Sequence, residues 1–240
     1  MERFDCRLLS RRTLSEGVRE LAFARCDGQP LRFVPGQYVQ VLFAADSYQG
    51  CYYSLSAPPQ ADGTFKLCVK DDDGLGARTL FALELGDTLA FAGPDGQLVL
   101  DREPGDAQRD VLLVATGTGI APFRAMSDQL DARLSAGRRV QLLYGARQPV
   151  GLLYDDIWRE LAARHEAFSY VATVSGEAQA GQEGVRRGRV TAHLAAALVA
   201  SEAAQGELLA LLCGIPAMVS EVRAALRDAG LDAAQIRTEY

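Results

Sequence analysis

The run Val114-Ala115-Thr116-Gly117-Thr118-Gly119-Ile120-Ala121-Pro122 joins an apolar, strand-like segment to a proline-started helix through two close glycines. The apolar residues between Asp110 and Ala115 read as a buried parallel strand, and proline suits the first turn of a helix, where its missing N–H is not needed. Gly117 and Gly119 have no Cβ, so an anion can approach the main chain and meet the positive end of the helix dipole. The pattern predicts a seat for a nucleotide pyrophosphate built from Thr116, Gly117, Thr118, Gly119 and Pro122. Its spacing is Gly-x-Gly-x-x-Pro rather than Gly-x-Gly-x-x-Gly, so a plain strand-to-helix turn is the competing reading of these residues taken alone.

Downstream of this loop, strand-like runs at Val111–Ala115, Val140–Tyr144, Tyr170–Val174 and Leu208–Cys213 alternate with helical runs at Pro122–Ala136, Tyr154–Arg164, Val190–Ser201 and Pro216–Ala229. Such a βα series calls for a doubly wound parallel sheet covered by helices on both faces. Ligands of these sheets sit beyond the carboxyl ends of the strands, which predicts one rim carrying Thr116, Gly145, Ser175 and Gly214.

Upstream, short β-like runs replace the helices: Val18–Ala24, Tyr38–Phe43, Tyr52–Leu55, Phe65–Val69, Thr88–Ala92 and Gln97–Leu100. They are separated by turn clusters such as Pro35-Gly36, Asp71-Asp72-Asp73-Gly74 and Gly93-Pro94-Asp95-Gly96. Regular spacing of this kind predicts a small antiparallel barrel, with one helical insert at Ala77–Leu85. The polar stretch Asp101-Arg102-Glu103-Pro104-Gly105-Asp106 interrupts both periods. Two domains are therefore expected, residues 1–103 and 104–240, and 240 residues is enough for each to bury a core.

Composition excludes several function classes. The net charge is −6 with 25 Lys and Arg scattered along the chain, which leaves no electrostatic footprint for nucleic acid. Cys6, Cys26, Cys51, Cys68 and Cys213 are odd in number and never fall in a C-x-x-C or other metal spacing, so neither a disulfide framework nor a metal site is expected. His165 and His193 are the only histidines and lie in helix-like segments, which argues against histidine-based chemistry. No apolar signal region opens the chain and no run of about 18 apolar residues interrupts it, so a cytoplasmic location away from the membrane is expected.

Seven motifs in order resemble the ferredoxin-NADP reductase superfamily of flavoprotein reductases. They are Pro35-Gly36-Gln37-Tyr38-Val39, Cys51-Tyr52-Tyr53-Ser54-Leu55-Ser56, Gly74-Leu75-Gly76-Ala77-Arg78-Thr79-Leu80 with Gly86-Asp87, Gly93-Pro94-Asp95-Gly96, the Thr116–Pro122 loop, Cys213-Gly214-Ile215-Pro216-Ala217-Met218, and Glu239-Tyr240. The resemblance covers nearly the whole chain and implies an FAD-binding barrel followed by an NAD(P)-binding α/β domain. It implies that Tyr53 packs on the flavin ring, that Ser54 bonds near the flavin N5, and that Cys213 lies close to the nicotinamide. By the same resemblance Tyr240 stacks over the flavin, and Glu239 serves a proton or hydrogen-bonding role. Ser54, Cys213, Glu239 and Tyr240 are the implied catalytic set. Cys51, Tyr52, Leu55, Cys68, Val69, Lys70, Gly76, Ala77 and Arg78 complete the flavin side. On the dinucleotide side Ala146, Arg147, Ser175, Gly176, Arg189, Gly214 and Pro216 join the glycine loop.

Two residues depart from the family pattern. Cys51 stands where the family's arginine neutralises the flavin phosphates, and Ala77 stands where a hydroxyl residue is usual. A lost charged hydrogen bond costs about 1.5–3 kcal/mol, so FAD is expected to be weakly held or exchangeable unless Arg78 or Lys70 supplies the charge. In NADP-specific relatives an arginine commonly follows the Ser that closes the third strand, whereas here Ser175 is followed by Gly176-Glu177, and an acid nearby suits a free ribose hydroxyl, which leans towards NADH. Arg147, Arg186, Arg187 and Arg189 lie in neighbouring rim segments and suit a phosphate, so the choice of nucleotide stays open. Three functions compete. One is a reductase passing electrons to a separate ferredoxin, flavodoxin or oxygenase component. The second is a flavin reductase releasing reduced flavin, and the third is a non-catalytic nucleotide-sensing subunit.

Overall fold

The computed structural model of the chain describes residues 1–43, 50–176, 184–201 and 207–239. It divides into two compact units, Met1–Val99 with Ala121–Ser127 and Leu100–Ile120 with Asp128–Tyr240.

The first unit is a six-stranded antiparallel sheet built from β1 (Glu2–Ser15), β2 (Val18–Arg25), β3 (Tyr38–Leu42), β4 (Gly50–Ser54), β5 (Phe65–Lys70) and β6 (Thr88–Asp95), in the order β4-β3-β6-β1-β2-β5. A Leu55↔Leu67 bridge and a 2.8 Å bond from Ser56 N–H to the Lys66 carbonyl join the two edges, which makes the sheet a barrel. Closure removes the exposed edges that an open sheet would present. Inside, Phe23, Phe65 and Phe91 meet with ring centroids 5.1–5.7 Å apart, among Cys6, Leu8, Leu21, Val39, Val41 and Leu67. Helix α1 (Leu75–Ala82) caps this core through Ala77 and Leu80.

The structure corrects the sequence reading at three places here. The longest strand, β1, was not expected at all. Its first half alternates cleanly, with Phe4, Cys6 and Leu8 buried, but two register shifts and the exposed run Leu9-Ser10-Arg11-Arg12-Thr13 hide the period-2 signal further on. Gly93-Pro94-Asp95 is not a turn: β6 runs through it and pairs Asp95 with Tyr38. With β3 so occupied, Gln97–Leu100 forms no strand, and Leu98, Val99 and Leu100 are buried as irregular chain.

The second unit is a parallel sheet of β7 (Asp110–Thr116), β8 (Val140–Ala146), β9 (Phe168–Val174), β10 (Val185–Arg187), β11 (Leu208–Cys213) and β12 (Ile236–Thr238), in the order β10-β9-β8-β7-β11-β12. The short α2 (Ala121–Ala125), after β7, groups with the first unit, while helices α3 (Ser127–Ser135), α4 (Asp155–Arg164), α5 (Leu194–Ser201) and α6 (Pro216–Asp228) follow the strands in sequence. Leu112, Val114, Ala210 and Leu212 share a core with Val190 and Leu194 and with Met218, Val222 and Leu226 of α6. The residues of opposite parity, Val111, Leu113, Leu209 and Leu211, are equally buried, so both faces of the sheet are covered. The single helix expected over Pro122–Ala136 is two, because the Met126 amide divides between the Pro122 and Phe123 carbonyls and the helix tightens there. No described helix is long and apolar enough to cross a membrane.

Strand order reverses at β7. From it the chain steps outward to β8, β9 and β10, then returns to β11 on the other side and ends at β12. Between β7 and β11 lies the switch point of the sheet, where two consecutive connections leave in opposite directions and a crevice opens beyond the carboxyl ends.

Candidate functional site

The site residues form one cluster in each unit. In the second unit, the Thr116–Gly119 loop leaves the end of β7 as a 3-10 turn, Gly117–Ile120, and Cys213 closes β11 beside it, in register with Ala115. The two chain segments touch at their glycines. A Cβ on Gly119 would stand 2.4 Å from the Cys213 carbonyl oxygen, and one on Gly214 would stand 2.2 Å from Thr116 Oγ1. Gly214 also has φ +147°, open in practice only to glycine. Thr116 Oγ1 accepts the Ile215 N–H at 3.1 Å, which fastens the β7 loop to the residue preceding Pro216 at the start of α6. Gly117, at φ +56°, makes the turn at the end of β7, and a Cβ there would meet nothing within 4 Å, so no side chain covers the main chain at this point.

Cys213 is 6 % exposed, and its thiol reaches Glu239 Oε2 at 3.5 Å. Burial first, and then the Glu239 charge and hydrogen bond, push the thiol pKa well above its ordinary value, so Cys213 stays protonated as a donor towards Glu239. Glu239 follows β12, which pairs with β11. Tyr240, the fourth member of the expected catalytic set, lies outside the described residues.

Further along the same rim, Arg147, Gln148, Ser175 and Gly176 line an open cleft of about 690 Å³. The walls are tied by main chain: Ser175 N–H donates to the Ala146 carbonyl at 3.1 Å and Gly176 N–H to that of Arg147 at 2.9 Å. A Cβ on Gly176 would come within 2.5 Å of the Arg147 carbonyl oxygen, so this position stays bare, and among the described lining residues Arg147 is the cationic one. Arg186, Arg187 and Arg189 follow on β10 and just past it, with Arg187 registered against Val174. Glu177, on which the lean towards NADH rested, lies outside the described residues. Gln148 was missed by the sequence reading, since nothing distinguishes it there from an ordinary loop glutamine. Pro122 is the second residue of α2 and is buried.

The first unit gathers Cys51, Tyr53 and Gly76. Alternation along β4 sends Cys51 and Tyr53 towards α1, and a Cβ on Gly76 would fall 2.5 Å from the Tyr53 hydroxyl and 2.8 Å from Cys51 Cβ. Tyr52 goes the other way and packs edge-on against Tyr38 at 5.1 Å, 55 % exposed. Ser54 ends β4, and Leu55 is fully buried in the bridge that closes the barrel. Val69 and Cys68 are buried on β5, Val69 in the apolar core, while Lys70 is exposed. Burial, together with Cys51 and Asp72, pushes the Tyr53 pKa up, so its hydroxyl keeps the proton and can donate it.

Helix α1 begins without a side-chain cap and without an acid in its first turn, and its first main-chain bond runs from Arg78 N–H to the Gly74 carbonyl. The amides of Leu75, Gly76 and Ala77 thus have no acceptor within the helix, which fits an anionic diphosphate. Arg78 is exposed on that turn, and Ala77 is buried beneath it.

Sequence comparison gives two matches in chain order. An oxidoreductase FAD-binding domain family matches residues 5–100, and an oxidoreductase NAD-binding domain family matches residues 113–224. The chain is 36 % identical over 230 residues to ferredoxin–NADP reductase B of Sorangium cellulosum, covering 92 % of this chain and 90 % of that protein. It is 33 % identical to the electron transfer component of toluate 1,2-dioxygenase from Pseudomonas putida, covering 95 % of this chain and 64 % of that longer protein. Among solved structures, a ferredoxin NADP+ reductase from Neisseria gonorrhoeae with bound FAD and NADP superposes with a TM-score of 0.82 at 20 % identity, over 100 % of this chain and 98 % of that one.

Proposed function

The chain belongs to the ferredoxin reductase-like flavoprotein superfamily, and from that premise we propose that it moves electrons from NAD(P)H through FAD to a separate redox protein. The observation that carries this reading is the junction of Thr116–Gly119 with Cys213–Gly214 at the switch point, where side-chain-free backbone meets a protonated thiol and a carboxylate. FAD, when bound, supplies the conversion of a two-electron hydride donor into one-electron steps.

The chain's own residues bind, orient and shield. The amides of the Gly117–Ile120 turn would hold the dinucleotide pyrophosphate, and Arg147 with Ser175 and Gly176 its adenosine end. Cys213 and Glu239 bound the crevice on the β11 side, and the neutral thiol keeps a second negative charge away from Glu239. On the flavin side the start of α1 would take the diphosphate, with Tyr53 as a hydrogen-bond donor beside it and Arg78 or Lys70 as the cation. Alignment of donor and acceptor is what such a scaffold contributes to the rate.

A second reading rests on Cys51. It occupies the wall beside Gly76 and brings no cation, where the family resemblance implies an arginine, so the flavin would be held loosely enough to leave as a product. The donor partner of either reading is NADH or NADPH, and a cytoplasmic location accords with both. Anaerobic stopped-flow of the FAD-loaded protein separates them. Flavin bleaching by NADH or NADPH followed by reoxidation on added ferredoxin supports the first. Bleaching that scales with added FAD after gel filtration, with no transfer to ferredoxin, supports the second. No bleaching with either dinucleotide refutes both and leaves a nucleotide-sensing subunit.

A further inference from the structure

We infer that Tyr144 is a positioning residue of the dinucleotide seat, its hydroxyl setting the direction of the pyrophosphate-loop amides and tying that loop to the cleft-bearing one; this rests on the reading of Thr116–Gly119 as the seat. Tyr144 lies on β8 with its ring fully buried. A buried phenol hydroxyl is costly unless bonded, and it offers one proton and two lone pairs. The Tyr144 hydroxyl lies 2.9 Å from the Gly117 carbonyl oxygen and 3.2 Å from that of Gly151, and it accepts the Leu153 N–H at 3.1 Å. With a single proton, it donates to one carbonyl at a time, and Gly117 is the nearer.

The Gly117 bond matters because of what surrounds that residue. A Cβ placed on Gly117 would meet nothing within 4 Å, so no side-chain contact at this position would set the peptide's direction. Its φ of +56° belongs to a region glycine enters and leaves at little cost. A trans peptide holds C=O and N–H in opposite directions in one plane. Drawing the Gly117 carbonyl inward onto Tyr144 therefore turns the Thr118 N–H outward, the orientation an anion at the loop requires. On its other side the hydroxyl oxygen accepts the Leu153 N–H, in the stretch that follows Arg147 and Gln148 of the cleft. One buried oxygen thus links the two stretches of chain assigned to the two ends of the dinucleotide.

Tyr144→Phe tests this, since the ring and its packing stay and Leu153 N–H retains a 3.0 Å bond to the Gly151 carbonyl. The expected result is a rise of several-fold to about tenfold in KM and Kd for NADH and NADPH, on the scale of one lost hydrogen bond. The limiting rate at saturating dinucleotide and the affinity for FAD stay within twofold, and amide exchange at Thr118 accelerates by a similar factor. A merely structural hydroxyl would lower thermal stability without this split between KM and kcat. Unchanged dinucleotide affinity in a variant whose wild type binds overturns the inference alone. A wild-type protein that binds neither dinucleotide overturns the reading of the seat, and the inference with it.

Discussion

Replacing Asp106 by alanine is expected to destabilise the second unit by about 3–5 kcal/mol, the cost of leaving a buried charge without its partner. The Asp106 carboxylate is fully buried, and it accepts the Arg237 guanidinium, the Arg102 and Glu103 amides at 3.0 and 2.6 Å, and Arg109 Nη1 at 3.1 Å. Arg237 is 5 % exposed and also donates to the Leu100 carbonyl at 3.0 Å. Alanine at 106 strands that guanidinium and both amides together. The single tryptophan, Trp158, is fully buried in α4 of the same unit, so its fluorescence reports this unit's unfolding in urea. With a slope of about 2–3 kcal/mol per M for a chain of this size, the midpoint falls by roughly 1–2 M. The double variant Asp106→Ala with Arg237→Met recovers part of the loss, because both charges leave together. Acid adds a sign to the test. Burial acts to raise the Asp106 pKa, but the hydrogen bonds from Arg237, Glu103 and Arg102 and the Arg237 charge outweigh it and hold the value below the ordinary carboxylate range. The resulting stability is complete above about pH 4 and is lost as pH falls through the lowered folded value, so Asp106→Asn flattens the acid limb. A loss under about 1 kcal/mol, or additive single and double variants, refutes the reasoning.

Gly76→Ala puts a methyl group 2.5 Å from the Tyr53 hydroxyl and 2.8 Å from Cys51 Cβ; FAD affinity by fluorescence titration falls at least about tenfold while Trp158 unfolding is unchanged. Cys51→Arg restores a cation beside the α1 start, and a charge-assisted bond of about 1.5–3 kcal/mol predicts FAD affinity at least about tenfold tighter, read as flavin retained through dialysis. Arg147→Ala removes the cation of the 690 Å³ cleft and is expected to lower kcat/KM for NADPH about tenfold or more, with NADH changed by less than about twofold. Equal losses with both nucleotides would show that Arg147 does not meet a 2′-phosphate.

What the sequence made legible was whatever local pattern alone specifies. The strands β7 and β11 are continuous apolar runs between their ends, and β8 and β9 are interrupted only by Gln141 and by Ser169 and Thr173, as a parallel sheet buried on both faces requires. The loop Thr116–Pro122 and the turn Cys213-Gly214 were readable because a Cβ on Gly119 or Gly214 would stand 2.2–2.4 Å from an atom of the other segment, which admits only glycine, and glycine is visible in a sequence. Missed features depend on partners distant in the chain. β1 is recognisable only once β6 and β2 lie on either side of it, and β12, three residues long, only through β11. Asp106 looked like one more linker acid. Its meaning comes from Arg237, 131 positions away, and Tyr144 likewise acquires a role only when its hydroxyl meets Gly117 and Gly151.

The two clusters differ in what they are made of, and that difference decides where this chain can vary. The proposed dinucleotide seat is mostly main chain: amides of a glycine turn, fastened by Thr116 Oγ1 and the Tyr144 hydroxyl. Such a seat reads the pyrophosphate common to NADH and NADPH and cannot tell them apart. Discrimination therefore falls on side chains of the cleft, and there Gly176 contributes none because the Arg147 carbonyl lies 2.5 Å from where its Cβ would stand. On the proposed flavin side the main-chain part would be the uncapped start of α1, and the side chain beside it, Cys51, brings no cation. Losing side-chain charge from a preserved backbone cradle lowers affinity without moving the site. On the proposed reading the chain would place flavin through its main chain while holding it less firmly, and exchange of flavin, rather than loss of chemistry, is the expected consequence of residue 51.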